Sequence, residues 1–135
     1  MKDIFVARVM STDIVTVRPD TLVEEAARLM LDREISSLVV VDERGHLEGI
    51  VTTTDFVDIV ARSQPKAETT VERYMSTNVA TTTAQASIVD VADEMVEGGI
   101  HHMPVVDDDA GVIGMLSTAD LTGYISRVQT PSPTP

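Results

Sequence analysis

Two stretches of the chain hold residues that could do chemistry. One runs Gly49-Ile50-Val51-Thr52-Thr53-Thr54-Asp55, the other Gly114-Met115-Leu116-Ser117-Thr118-Ala119-Asp120. Each passes from an apolar run through hydroxyls to a carboxylate. An aspartate can accept two hydrogen bonds from vicinal hydroxyls, such as those of a ribose. Thr52 and Thr54 stand two apart, so on a strand end their hydroxyls would face the same way. A helix starting at this point would offer N–H groups and a partial positive charge, which suit a phosphate. The same residues have a plainer reading. Thr54, or a Ser-like residue before the Asp, is a good helix N-cap, and an Asp in the first turn is favourable at any helix start. Both readings stand on the residues alone, and they are compatible, because a Thr can cap while the Asp binds.

The elements that position these stretches are themselves repeated. Shifted by 65, residues 10–60 fall on 75–125 without a gap. Identities include Met10/Met75, Ser11/Ser76, Thr16/Thr81, Met30/Met95, Asp42/Asp107, Gly49/Gly114, Thr53/Thr118 and Asp55/Asp120. Two copies are too few for a solenoid and fit a face-to-face pair. Each copy begins with a β-rich run, IVTV (14–17) or VATT (79–82). A helix follows, with Leu22, Ala26, Leu29, Met30 and Arg33 at helical spacing in the first copy and Ile88, Val91, Ala92, Met95 and Val96 in the second. Asp20 or Thr21 is the expected cap of the first helix and Ser87 of the second, which Gly98-Gly99 ends. Strands SLVVVD (37–42) and LEGIVT (47–52), or HMPVVD (102–107) and VIGMLS (112–117), come next around a polar turn. A second helix is expected from Thr54 or Ala119. Each repeat therefore reads β-α-β-β-α, an α/β (α+β) chain with pseudo-two-fold symmetry. Repeat 1 spans 1–64 and repeat 2 spans 65–129; short helical lead-ins are expected over Phe5–Met10 and Val71–Met75. The linker RSQPKAETT (62–70) breaks the periodicity at Pro65, and the tail TPSPTP (130–135) has no apolar anchor and reads as disordered.

Composition narrows the function classes. The chain has 135 residues, 43% of them apolar but only 3% aromatic, so its core must be aliphatic. Halves of some 60 residues are marginal alone and are expected to share that core. Without cysteine there is no disulfide, thiol catalysis or Cys-ligated zinc. No apolar run approaches a membrane span, and the N-terminus lacks a signal-peptide stretch, so the protein reads as cytoplasmic. A net charge of −12 opposes nucleic-acid and anionic-lipid binding. Lys2 and Lys66 are the only lysines, against eight arginines, a balance that suggests a salty, halophilic cytoplasm where screening relieves self-repulsion.

Other candidates read as structural. His101-His102 are adjacent on a strand and point to opposite faces, so they do not easily share a metal. His46 sits in a turn, and Asp107-Asp108-Asp109 lacks the ligand spacing of a calcium loop. Met30, Met95, Met103 and Met115 are core filler, Met10 and Met75 pack where the repeats meet, and Asp90, Asp93, Glu94 and Glu97 make a solvated helix face. No nucleophile elbow, phosphate loop or HExxH motif is present, and Asp55 and Asp120 fall at separate symmetry-related positions rather than on one bond. The chain does not read as an enzyme and needs no catalytic cofactor or metal.

The motifs M-S-x-x-φ-x-T, V-V-D and G-φ-φ-[ST]-x-x-D, with φ apolar, occur twice at one offset over residues 3–128. They resemble the CBS domain, named for cystathionine β-synthase, two of which make a Bateman module. The resemblance implies a stand-alone regulatory module with two ligand clefts between the repeats. AMP, ADP or ATP are the implied ligands, with S-adenosylmethionine or NAD as alternatives and a ligand-free adaptor as the rival. It also implies a disc-like homodimer and a separate effector protein. Carried over by residue, one cleft takes Ile50, Thr52, Thr54 and Asp55 with Ala80, Ile100, His101 and His102. The other takes Met115, Ser117 and Asp120 with Val15, Thr16, Ile35, Ser36 and Ser37. The apolar members would flank a purine. The first cleft holds both hydroxyls and a His pair near the phosphates, and is expected to bind nucleotide more tightly.

Overall fold

The apolar spacing of each first helix sets the fold. In the computed structural model, which describes residues 4–62 and 68–129, α2 (Val23–Arg33) and α4 (Ile88–Gly98) bury Val23, Ala26 and Met30, and Ile88, Val91 and Met95. The chain runs α1 (Val6–Val9), β1 (Thr16–Val17), α2, β2 (Ser37–Val41), β3 (Leu47–Thr52), α3 (Thr53–Ala61), a 3-10 turn at Val71–Arg73, α4, β4 (His102–Asp107), β5 (Gly111–Ser117) and α5 (Thr118–Gln129). β2 pairs parallel with β1 and antiparallel with β3, in a sheet ordered β1-β2-β3; β4 and β5 form a two-stranded sheet. The chain is thus mixed α/β with two repeats, as its pattern indicates. Contacts divide it into two units. The Asp55 unit holds Ile14–Val79 and Asp108–Val112; the Asp120 unit holds the residues up to Asp13, Ala80–Asp107, and those from Ile113 on.

Several local expectations are corrected. Neither Asp20 nor Thr21 caps α2; the N-cap is Leu22, and the Thr21 hydroxyl instead accepts the Arg18 N–H at 3.1 Å. Ser87 does cap α4, accepting the Val89 N–H. Gly99 ends α4 in the left-handed conformation at φ 63°, and Glu34 holds the equivalent position after α2 at φ 54°. The first strand is shorter than IVTV in repeat 1, and in repeat 2 VATT shrinks to one parallel bridge between Thr82 and Val105. Pro104 explains the loss. In repeat 1 the Val39 N–H donates to the Val15 carbonyl at 3.4 Å; Pro104, its counterpart, has no N–H to give Ala80. The middle of the linker, 63–67 with Pro65, and the tail 130–135 lie outside the described residues.

The expected shared core is also replaced. Buried apolar side chains among the described residues form two clusters. Leu38, Val40, Val51 and Ile59 anchor one, and Met103, Val105, Leu116 and Leu121 the other. Each cluster takes in a lead-in from the other repeat: Val71 joins the first and Val6 the second, both fully buried. The exchange repeats bond for bond. The Ile88 N–H donates to Ile4 and the Val6 N–H to Ala86; likewise Val23 donates to Thr69 and Val71 to Thr21. Ser11 exchanges two backbone bonds with Met115 at 2.8 and 2.9 Å, and Ser76 with Ile50 at 2.9 and 3.0 Å. Met10 and Met75 therefore pack inside the units. A Cβ at Gly114 would sit 2.8 Å from the Met10 sulfur, and one at Gly49 2.8 Å from that of Met75. These two glycines allow the lead-ins to lie on the strands.

Candidate functional site

Each site is built where a strand runs straight into a helix. β3 ends at Thr52 and α3 starts at Thr53; β5 ends at Ser117 and α5 starts at Thr118. The helices thus begin one residue earlier than expected from Thr54 and Ala119. Thr54 lies in the first helical turn and is exposed, so it does not share a strand face with Thr52.

The aspartates close reciprocal capping boxes. The Thr52 N–H donates to Asp55 Oδ2 at 2.8 Å, and the Thr52 hydroxyl approaches the same oxygen at 3.3 Å. The Thr52 side chain in turn takes the Asp55 N–H. In the other unit the Ser117 N–H donates to Asp120 Oδ2 at 2.9 Å and the Asp120 N–H to the Ser117 hydroxyl at 3.1 Å. Capping is therefore present, but its hydroxyls are those of Thr52 and Ser117 rather than Thr54, and each aspartate is the reciprocal partner at the third helical position. It uses one carboxylate oxygen of each aspartate. Oδ1 of Asp55 and of Asp120 has no hydrogen bond among the described residues.

The helix ends are less open than a phosphate site requires. The Thr53 N–H donates to the Ser36 carbonyl at 3.1 Å and the Thr118 N–H to the His101 carbonyl at 3.0 Å. With the third N–H of the turn spent in the capping box, only the second, at Thr54 or Ala119, lacks a partner among the described residues. Thr53 and Thr118 were absent from the expected site sets, although their identity at the common offset marks them.

These bonds also show which candidates meet. Ser36 lies against the start of α3, in the unit of Asp55, which also holds Ile35 and Ser37. His101 lies against the start of α5, in the unit of Asp120, with Ile100 and His102. Each second-strand start thus stands beside the aspartate motif of its own repeat. Val15 and Thr16 fall in the Asp55 unit, and Ala80 packs against the Asp120 unit's core. Ile50 and Met115 are the strand residues that bind the exchanged lead-ins. The His102 imidazole is half-buried. Burial holds its pKa below the usual histidine value, the neighbouring His101 pushes the same way, and the Asp120 carboxylate opposes both. His102 is thus biased toward its neutral form. Among the described residues, no group of three or more His, Asp or Glu is arranged to hold a metal ion, and no helix is long and apolar enough to cross a membrane. Asp42 organises the turn after β2, accepting from the Arg44 and His46 N–H groups at 2.8 and 2.9 Å.

Two α/β repeats, each closing on a capped aspartate motif, define a tandem repeat module. The family model for the CBS domain matches residues 6–62 and again 71–127, so the chain belongs to the CBS domain family and carries two such domains. An uncharacterised 17.7 kDa protein of Acidianus ambivalens is 30% identical over 125 residues, 93% of this chain and 75% of that one. A homoserine O-acetyltransferase of Methanosalsum zhilinae is 32% identical over 127 residues, which cover 94% of this chain and 25% of that enzyme. The chain therefore spans three quarters of the first and one quarter of the second. Among solved structures, the CBS domain pair of protein MJ0100 in complex with 5′-methylthioadenosine and S-adenosyl-L-methionine is similar. It has a TM-score of 0.85 at 28% identity, covering 93% of this chain and 98% of that one.

Proposed function

We propose that this CBS pair senses an adenosine-containing ligand and passes its occupancy to a separate effector protein, without catalysis of its own. The observation that carries the reading is the duplicated aspartate, which caps a helix through Oδ2 and keeps Oδ1 for a second partner. A ribose hydroxyl is a suitable partner for that oxygen. The likeness to a pair crystallised with two adenosine compounds supports the ligand class. One site comprises Asp55, Thr52 and Thr54 with Ile35, Ser36 and Ser37. The other comprises Asp120 and Ser117 with Ile100, His101 and His102. The resemblance adds Ala80, Val15 and Thr16 from the first strands. In this reading the His pair goes with Asp120, whose charge His102 feels. A phosphate-bearing ligand such as AMP gains at Asp120 as the medium becomes acidic enough to charge His102, and an uncharged one such as 5′-methylthioadenosine is indifferent to that change.

The module also fits a homodimer. Leu31, Val60 and Val96 are 78%, 65% and 83% exposed. They flank apolar grooves of about 400 and 300 Å³ on α2/α3 and α4/α5. Exposed apolar helix faces of this kind mark association surfaces. Sedimentation at micromolar concentration should give twice the chain mass, and Val96→Glu should halve it.

Isothermal calorimetry with AMP, ADP, ATP, S-adenosylmethionine, 5′-methylthioadenosine and NAD tests the ligand reading. Saturable heat with an adenosine compound, lost in Asp55→Asn or Asp120→Asn, is the expected result. No heat with any of the six would leave the ligand-free adaptor, in which both boxes are helix caps alone.

A further inference from the structure

The exchanged lead-ins have a role that capping and ligand binding leave unused. Each is a strap fixed at two points. One end lies on the start of the host's first helix, through Ile4–Ile88 and Val6–Ala86 or Thr69–Val23 and Val71–Thr21. The other end lies on the last strand, through Ser11–Met115 or Ser76–Ile50. Met115 and Ile50 stand two residues before the N-caps Ser117 and Thr52, whose N–H groups bind the Asp120 and Asp55 carboxylates. A continuous path of bonded groups therefore runs from each aspartate to a strap: carboxylate, N-cap, strand end, strap backbone.

The straps are also the elements best suited to open. Their helical parts have four and three residues, and neither has a side-chain N-cap. Segments so short gain little from their own hydrogen bonds. Each has one fully buried valine, Val6 or Val71; the rest of its apolar packing, Ile4, Val9 and Met10 or Tyr74 and Met75, is only partly buried. Elements with few contacts open locally before the whole fold does. Opening would lift a fully buried valine out of the host cluster, so it is an all-or-none event for that strap.

We infer that each strap is a conformational switch read out by the aspartate motif beneath it. A ligand held on Asp120 or Asp55 fixes the strand end and clamps the strap; an empty motif lets the strap open. This inference rests on the ligand reading above. By reciprocity, a loosened strap must weaken ligand binding at the same unit by the factor by which ligand tightens the strap.

The test uses the whole chain and three probes: AMP, S-adenosylmethionine and 5′-methylthioadenosine. Binding is measured by calorimetry, and amide exchange is followed at Ser11, Met115, Ile50 and Ser76. Ligand should slow exchange at one or both strap pairs by about tenfold or more. Met10→Ala removes the latch without a clash and should speed exchange at Ser11 and Met115 while leaving Ile50 and Ser76 unchanged. It should also weaken binding at the Asp120 site by a matching factor; Met75→Ala should do the same for the other pair. Ligand binding with unaltered strap exchange, or a loosened strap with unaltered affinity, overturns the switch and leaves the ligand reading intact. No calorimetric binding by these probes, nor by the ADP, ATP and NAD of the wider screen, overturns both.

Discussion

Replacing Asp55 by Asn and by Ala should separate its two roles. In the folded chain Oδ2 accepts the Thr52 N–H at 2.8 Å, a charge-assisted bond at a helix start. Alanine removes that acceptor and the negative charge facing the helix dipole. Loss of a cap costs about 0.5–2 kcal/mol and loss of the dipole interaction about 0.3–1 kcal/mol, so Asp55→Ala should cost about 1.5 kcal/mol. Asparagine keeps a carbonyl oxygen for the Thr52 N–H and loses only the charge, so it should cost about 0.5 kcal/mol. Binding should rank differently. With its one carbonyl oxygen engaged in the cap, Asn has no second anionic oxygen for a ribose hydroxyl. Loss of a hydrogen bond to a charged group is worth about 1.5–3 kcal/mol, roughly a 10- to 100-fold weaker Kd at that site. Urea unfolding followed by circular dichroism gives the first pair of numbers, and calorimetry the second. Asn as destabilising as Ala would refute the capping geometry. Asn binding as well as Asp would refute the assignment of Oδ1 to the ligand.

Three further outcomes follow from particular residues. Because burial depresses the His102 pKa, the unfolded chain takes up its proton first. The His102 contribution to stability is thus intact above about pH 6.5 and lost as pH falls toward the lowered folded value. In urea titrations across that window, His102→Gln should show a shallower acid limb than the parent; parallel limbs would contradict the burial. Glu34 holds a left-handed conformation at φ 54° where its counterpart is Gly99, so Glu34→Gly should stabilise by about 0.5–1 kcal/mol, read from the urea midpoint. With a net charge of −12, the melting temperature should rise between low and molar KCl, and a flat response would sink the salt-adapted reading.

How far the sequence reached depends on whether local information was enough. β4 and LEGIVT were bounded by their turns, and the structure keeps those bounds at His102–Asp107 and Leu47–Thr52. Ser87 and Gly99 act on the backbone next to them, so their roles at the ends of α4 were visible in the residue types. The first-turn places of Asp55 and Asp120 were visible too, but the boxes they close with Thr52 and Ser117 were not, because the helix starts were expected at Thr54 and Ala119. The first strand of repeat 2 was misjudged because a strand needs a partner's N–H, and Pro104, more than twenty residues on, removes it.

The sequence by itself therefore determined the duplication, the two aspartates at helix starts, the aliphatic core and the membership of one family. Only the tertiary structure decided where the lead-ins go, that Val6 completes the core of repeat 2 and Val71 that of repeat 1, and that the His pair stands with Asp120. The physical reason is symmetry. Val6 and Val71, Met10 and Met75, Gly49 and Gly114 are identical pairs, so either lead-in satisfies the local pattern of either repeat. Hydrophobic burial has no direction along the chain, and which cluster a valine fills is settled only when the whole backbone closes.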